Sequence, residues 1–101
     1  MHTVINSIVF QKKVEGKYTD EYIDEIANEI AFNTNIGKKL ITVNNIYKIG
    51  LGDTIQKKGA YNLYYYCNSK KEPILLINIY KKKEKDIITK LINDLVVEAL
   101  R

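Results

Sequence analysis

The sequence predicts an α+β fold: an antiparallel sheet of about four strands with an N-terminal helix packed on it and a C-terminal helix. Three observations support this prediction. Short apolar stretches with strand character are interspersed with two longer stretches of helical periodicity. The last three predicted strands are joined by short polar turns, as antiparallel neighbours are. With 101 residues, the chain is long enough for one compact domain, 1–101, and too short for two.

The N-terminal half predicts a strand and a helix. The segment from Val4 to Val14 has apolar residues at imperfectly alternating positions, and we interpret it as the first strand. Thr19 is a good helix N-cap and is followed by two acids, which the helix dipole favours in a first turn. Tyr18 and Ile23 have the spacing of a hydrophobic staple across this cap. Apolar residues at helical spacing follow, and the helix is expected to end near Asn33.

The C-terminal half predicts three strands and a helix. The strands are expected at Ile46–Leu51, at Ala60–Cys67 and from Ile74 to about Lys82, with a hairpin turn at Asn68–Pro73 between the last two. The stretch 38–45 is ambiguous. A helix is expected from residue 87 to residue 100, with an apolar stripe formed by Ile88, Leu91, Ile92, Leu95 and Ala99.

Composition limits the classes of protein to which the chain belongs. Sixteen Lys and Arg residues against twelve acids give a net charge of +4, which favours polyanionic partners through long-range attraction. No apolar stretch approaches the ~20 residues that span a bilayer, and the N-terminus does not have the pattern of a signal peptide. We therefore expect no membrane partner. The single cysteine, Cys67, excludes an internal disulfide and suits a reducing cytoplasm.

Several catalytic chemistries are excluded by the residues that the chain lacks. His2 is the only histidine, which excludes a histidine-based ribonuclease and Ser–His or Cys–His nucleophilic catalysis. One histidine and one cysteine cannot form a zinc site. A magnesium site made only of carboxylates is possible by count, but the acids of the first helix have surface spacing, and we interpret them as a solvated face. No metal and no other cofactor is expected, and the reactive groups that remain are lysine and tyrosine.

The most informative segment of the chain lies between the last strand and the last helix. A buried apolar run leads into the sequence Tyr-Lys-Lys-Lys-Glu-Lys-Asp at residues 80–86, and an amphipathic helix follows. This segment resembles the last strand of the RelE/HigB-like toxins, whose pattern there is roughly Tyr-x-Lys-x-Glu-Lys-x-x-Leu-Thr. The matching positions are Tyr80, Lys82, Glu84, Lys85, Ile88 and Thr89.

The resemblance covers about residues 18 to 100. Residues in register with the family before its middle strand are Asn33, Gly37, Leu40, Ile46, Lys48 and Ile49. The basic turn Lys57-Lys58-Gly59-Ala60 and the strand Tyr61-Asn62-Leu63-Tyr64-Tyr65-Tyr66 match a basic Gly-rich turn followed by Arg-Val-Ile-Tyr-Tyr-Tyr. Three arginines of the family are replaced here, by Tyr47, Gly50 and Tyr61.

Membership of this family would imply a RelE-like fold and the toxin role in a bacterial toxin–antitoxin pair. The implied activity is ribosome-dependent, metal-independent endoribonuclease cleavage of mRNA in the cytoplasm. The implied partners are a cognate antitoxin of helix-turn-helix or RelB-like type, the ribosome and mRNA. The implied catalytic residues are Lys48, Tyr61, Tyr80, Lys82 and Lys85. The implied RNA-binding residues are Lys57, Lys58 and Tyr65.

Lysine and tyrosine can support such a reaction. The 2′-hydroxyl attacks the adjacent phosphorus, which requires a base, a cation beside the phosphate and an acid for the leaving oxygen. Neighbouring cations or burial lower the pKa of a lysine from its usual value of ~10.4, so a cluster of lysines can supply a base. The candidate lysines lie on two adjacent predicted strands and in a loop beside them, which predicts such a cluster.

Strand alternation predicts which tyrosines share a surface. Tyr61 and Tyr65 lie on one face of their strand, with Tyr64 and Tyr66 on the other. By resemblance, the Tyr61 face is the substrate groove, in which exposed tyrosines would stack on bases. The alternative is that the tyrosines are ordinary strand residues covering the core, and we favour it for Tyr64 and Tyr66. Lys82 is expected to be partly exposed, in one groove with Lys48 or the basic turn.

Two other functions remain open. A non-catalytic binding module of the same fold, paired with an antitoxin, is favoured by the replaced arginines, because lysine lacks the planar fork with which arginine binds phosphate. A ParE-like inhibitor of gyrase would share the fold without the catalytic residues. The Lys-x-Glu-Lys pattern at residues 82–85 and the tyrosine-rich strand favour the ribonuclease over the gyrase inhibitor.

Overall fold

The computed structural model describes residues 2–57, 60–68 and 72–100 and shows an α+β fold, as predicted. The first helices lie near the N-terminus and the last one at the C-terminal end of the described chain. The elements are β1 (Val4–Asn6), α1 (Ile8–Val14), α2 (Asp20–Phe32), β2 (Lys38–Lys39), β3 (Ile46–Asp53), β4 (Ala60–Tyr66), β5 (Ile74–Lys81) and α3 (Ile87–Ala99).

The sheet has five strands in the order β1-β5-β4-β3-β2. The pairs β2–β3, β3–β4 and β4–β5 are antiparallel, which confirms the predicted meander. β1 pairs with β5 in the parallel direction, over Val4–Asn6. The sheet exceeds the expected four strands because the ambiguous stretch contributes the short strand β2. Within the described residues, no helix is long and apolar enough to cross a membrane.

The N-terminal segment differs from the prediction. A strand was expected from Val4 to Val14, but the strand stops at Asn6 and α1 follows. Ser7 ends the strand because its hydroxyl accepts a hydrogen bond from the N–H of Phe10 and donates one, 2.7 Å long, to the carbonyl of Ile77. A seven-residue helix is too short to be stable alone, so its contacts with the sheet, including the fully buried ring of Phe10, determine its conformation.

Replacement of Ser7 by alanine is expected to reduce the free energy of unfolding by about 1–2 kcal/mol, because the helix cap and a buried hydrogen bond are both lost. Urea unfolding followed by circular dichroism measures this change. Lys12→Ala, an exposed position on the same helix, is the control and should change the stability little. A loss for Ser7→Ala no larger than that of the control would show that the cap is unimportant.

The second helix begins and ends as predicted. The side chain of Thr19 accepts a hydrogen bond from the N–H of Tyr22, and Asn33 is the C-cap. Tyr18 and Ile23, the two residues of the predicted staple, are both buried in the same core cluster. The N-terminus of α2 is therefore capped by a side-chain hydrogen bond and flanked by buried apolar residues.

The remaining elements follow the prediction with small differences. β3 extends to Asp53, two residues beyond the predicted end, with an irregular register between Gly50 and Asp53. In α3, Leu91 is fully buried, but Ile92 is 48% exposed, so only part of the apolar stripe contacts the sheet. The predicted hairpin turn between β4 and β5 includes residues 69–71, which lie outside the described residues.

Two layers of apolar side chains cover the two faces of the sheet. The α1/α2 layer contains Phe10, Tyr18, Ile23, Ile30, Leu51, Tyr61, Leu63, Tyr65, Ile74, Leu76 and Ile79. The α3 layer contains Ile46, Tyr64, Ile77, Tyr80 and Leu91. Leu63 and Tyr64 are adjacent in β4 and belong to different layers, as strand alternation requires. These two layers determine which predicted site residues can meet.

Candidate functional site

The predicted site residues are divided between the two faces of the sheet. Ile46 of β3 and Tyr64 of β4 belong to the α3 layer. Lys48 is two residues from Ile46, and Asn62 is two residues from Tyr64, so both are on this same face. Tyr61 and Tyr65 belong to the opposite, α1/α2 layer. A site that combines the predicted lysines therefore has to lie on the α3 face.

The face that carries Tyr61 is part of the core. Tyr61 is 3% exposed and contacts the ring of Tyr18 edge-on, with 6.3 Å between ring centroids. Tyr65 is fully buried, and its hydroxyl donates to the carbonyl of Thr34 (2.8 Å) and accepts from the N–H of Gly37 (3.0 Å). The expectation that the Tyr61 face is an open groove is wrong, because the apolar sides of α1 and α2 cover it. Neither ring has a free side on which a base could stack.

The side chain of Lys82 lies on the α3 face of the sheet, next to Gly50 of β3. Its ammonium nitrogen is 3.4 Å from the point that a Cβ on Gly50 would occupy, and Oδ1 of Asn62 is 3.7 Å from that point. Gly50 pairs with Asn62 across the two strands and shares its sheet face with Lys48. Lys82 is exposed, as predicted, and its side chain extends from the end of β5 across β4 towards β3. The missing side chain at Gly50 leaves the space for it.

The other predicted lysines are distributed around this position. Lys57 is exposed in the turn after β3, where it adopts a positive φ of 54° and its N–H donates to the carbonyl of Thr54. Lys58 lies outside the described residues. Lys85 is exposed in the segment that joins β5 to α3. Exposed ammonium groups therefore lie beside Lys82 along the chain and at the turn after β3.

Tyr80 lies beneath α3. It is 4% exposed, and its hydroxyl donates a hydrogen bond to Oδ2 of Asp94. The amide of Asn78 donates to the same oxygen at 2.7 Å. Burial, followed by the hydrogen bond to Asp94, raises the pKa of Tyr80 well above its usual value of 10.0. Tyr80 is therefore a weaker acid than a free tyrosine, and its hydroxyl is already engaged.

The segment after β5 is attached to α3 by an ion pair. The ammonium of Lys90 is 3.5 Å from a carboxylate oxygen of Glu84 and 6.0 Å from the centroid of the Tyr80 ring. A hydrogen bond from the N–H of Glu84 to the carbonyl of Lys81 closes the turn at the strand exit. α3 thus covers Tyr80 and orders the segment that carries Lys82.

Sequence reasoning missed three residues of this region: Asp94, Asn78 and Gly50. Asp94 falls three residues after the buried Leu91, on the inner side of α3. An acid on the apolar side of a helix indicates a buried hydrogen bond, and this pattern could have identified Asp94 from the sequence. No pattern indicated that Gly50 provides space for a lysine of another strand.

The arrangement offers cationic groups and no metal ligands. Among the described residues, no group of three or more histidines, cysteines or acids is placed to hold a metal ion. Lys48 and Lys82 share one sheet face with Asn62, which pairs with Gly50, and with the buried Tyr64, which pairs with Lys48. Such a surface can bind a phosphate by charge and hydrogen bonds.

No family model matches the chain, and no curated protein matches it.

Proposed function

We propose that this protein is a RelE-like toxin of a bacterial toxin–antitoxin pair that cuts mRNA on the ribosome, in the cytoplasm, without a metal. The observation that supports this proposal most is the position of Lys82 across β4, on the sheet face of Lys48. The strand order and the helix after β5 are compatible with such a fold. The cognate antitoxin would be the stable partner, and the ribosome with its mRNA the target.

In the proposed reaction, the ammonium of Lys82 binds the scissile phosphate and stabilises its extra negative charge in the transition state. Lys48 or Lys85 takes the proton of the 2′-hydroxyl as that oxygen attacks phosphorus. The bond from phosphorus to the 5′-oxygen breaks, and the leaving oxygen takes a proton from a lysine ammonium or from water. Tyr80 would position other groups and would not donate a proton to the substrate, because its hydroxyl already donates a hydrogen bond to Asp94.

Induced expression in a bacterium tests this proposal. The wild type should arrest growth and produce new mRNA 5′ ends in phase with codons, and Lys82→Ala should reduce the cleavage rate by about 10²-fold through lost charge stabilisation. Lys83→Ala is the matched control, because Lys83 is the adjacent exposed lysine, and it should still arrest growth. Arrest without new 5′ ends, accompanied by DNA-damage signalling, would reject the ribonuclease in favour of a gyrase inhibitor.

A non-catalytic binding module is the second candidate. It is favoured by the tyrosines and the glycine at three positions that are arginine in the family, which are Tyr47 and Gly50 in β3 and Tyr61 in β4. In this case expression would leave growth normal, while the protein would bind tightly to the product of a neighbouring gene, expected to be a small helix-turn-helix or RelB-like protein. Co-expression of both genes followed by purification of the complex distinguishes these outcomes.

A further inference from the structure

The outer side of α3 differs in character from that of the other long helix. Both α2 and α3 have 13 residues, and α3 lies wholly within the described residues. The exposed side of α2 is acidic, as the solvated face of a helix often is, and carries Asp20, Glu21, Asp24, Glu25 and Glu29. Among the exposed residues of α3, in contrast, only Lys90 is charged. The function proposed above does not use this side of α3.

Four side chains make the outer side of α3 apolar. Ile92 is 48% exposed, Val96 is 50% exposed, Val97 is 52% exposed and Leu100 is 81% exposed. Ile92, Val96 and Leu100 are four residues apart, so they form one row along the helix. The row begins beside Leu91, which is buried against the sheet, and turns away from the sheet towards Leu100, because each residue adds about 100° of rotation. A contiguous apolar surface in contact with water indicates an interaction surface.

The apolar row is separated from the charges of the chain. The ammonium of Lys90 is 3.5 Å from a carboxylate oxygen of Glu84, in the segment before the helix. The two acids of α3, Asp94 and Glu98, are only partly exposed, and Asp94 accepts hydrogen bonds from side chains of β5. Two copies of a chain with a net charge of +4 repel each other, so they approach most easily through a surface that is free of charge.

We propose that the outer side of α3 binds the same surface of a second copy of this protein and forms a two-fold symmetric dimer. A two-fold contact requires a surface that is complementary to itself. An uncharged apolar row meets this requirement, and the amide of Asn93 beside it can both donate and accept hydrogen bonds. The two helices would be antiparallel, with Val96 at the symmetry axis and Ile92 opposite Leu100. Each helix dipole would then lie beside the opposite end of its neighbour.

The size of the surface determines the expected affinity. One face of a helix about 20 Å long is smaller than the ~800 Å² that each partner contributes to a standard interface, so we expect a dissociation constant in the micromolar range. A membrane surface fits less well, because helices that lie on membranes are rich in lysine and arginine, and Lys90 is the only basic residue of α3. This inference does not rest on the proposed ribonuclease activity.

Sedimentation equilibrium of the purified full chain over the micromolar range, with a reducing agent that keeps Cys67 as a thiol, tests the proposal. The mass should rise with concentration from 11.7 kDa towards twice that value. Val96→Lys should raise the dissociation constant at least about ten-fold, because it places two cations together at the axis. Ile55→Lys introduces the same charge at an exposed apolar residue in the turn after β3, and it should change the dissociation constant less than about two-fold. Circular dichroism verifies the fold of both variants.

Cross-linking locates the contact. In a Cys67→Ala background, Val96→Cys should form a disulfide-linked dimer with oxidised glutathione faster than Ile55→Cys, because the two copies of residue 96 would lie within disulfide distance. The proposal is overturned if the chain stays monomeric at every concentration, if Val96→Lys and Ile55→Lys associate equally, or if Val96→Cys cross-links no faster than Ile55→Cys. A monomer that binds phosphatidylcholine vesicles, with binding lost on Val96→Lys, would assign the surface to lipid and also overturn it.

Discussion

The free energy of unfolding is expected to fall steeply between pH 10 and pH 12, because four buried tyrosines keep their protons in the folded state beyond the pH at which free tyrosine loses them. Burial raises the pKa of Tyr18 and of Tyr65 to about 12. Burial also raises the pKa of Tyr64 and, with the hydrogen bond to Asp94, that of Tyr80. In this range the unfolded chain binds fewer protons than the folded chain, so stability falls as pH rises.

The size of this effect follows from the same linkage. Each tyrosine with a pKa raised to about 12, such as Tyr18, contributes about 1.4 kcal/mol of lost stability per pH unit until it ionises in the folded state. Below pH 10 these groups are protonated in both states and contribute no slope. Urea unfolding at half-unit steps from pH 8 to pH 12 measures the curve.

Tyr18→Phe is the matched variant for this measurement. It removes one of the titrating phenols together with its hydrogen bond to the carbonyl of Gly52, so it should be less stable than the wild type at pH 8. Its slope above pH 10 should be shallower, by about 1.4 kcal/mol per pH unit. If the free energy of unfolding fell equally steeply with pH in both proteins, ionisation of Tyr18 would not contribute to the loss of stability above pH 10, and other groups would be responsible.

Replacement of Asp94 by alanine is expected to reduce the free energy of unfolding by about 2–4 kcal/mol, since it leaves two buried donors without their acceptor. The hydroxyl of Tyr80 and the amide of Asn78 both donate to the same carboxylate oxygen. Tyr80 and Asn78 are 4% and 5% exposed, so water cannot readily replace Asp94. Thermal and urea unfolding measure the loss.

Two further variants test whether the lost hydrogen-bond acceptor at Asp94 causes the loss of stability. Asn93→Ala changes an exposed residue on the same helix and should have little effect. Asp94→Asn keeps one acceptor oxygen without the charge, and its loss should lie between those of the wild type and the alanine variant. A stability of Asp94→Ala within about 0.5 kcal/mol of the wild type would mean that the two donors find other partners.

Short-range patterns were sufficient for most elements of the fold. The cap at Thr19 depends on residues close in the chain, and the structure shows it; Tyr18 and Ile23, on either side of the cap, are both buried. The β3–β4–β5 meander follows from apolar stretches separated by short turns. In contrast, the conformation of residues 8–14 is decided by contacts of Ser7 and Phe10 with the sheet, and local alternation of apolar residues does not record such contacts.

The candidate site was predicted in part. Strand alternation places Lys48 and Gly50 on one face of β3, but it did not indicate that the side chain of Lys82 would lie beside Gly50. Alternation correctly separated Tyr61 from Tyr64, but it could not say which face of the sheet the first helices would cover. Which face the helices cover depends on the packing of the whole chain, and α1 and α2 pack on the face that carries Tyr61.

Local spacing along the chain was enough to predict the α+β class, the ends of α2 and the strand pairing of the C-terminal half. Three features became visible only in the folded chain: β1 is short, α3 packs on the sheet face that carries Lys48, and the hydroxyl of Tyr80 donates a hydrogen bond to Asp94. Those features depend on contacts between residues far apart in the chain, and a side chain acquires its burial, partners and acidity only when such contacts form.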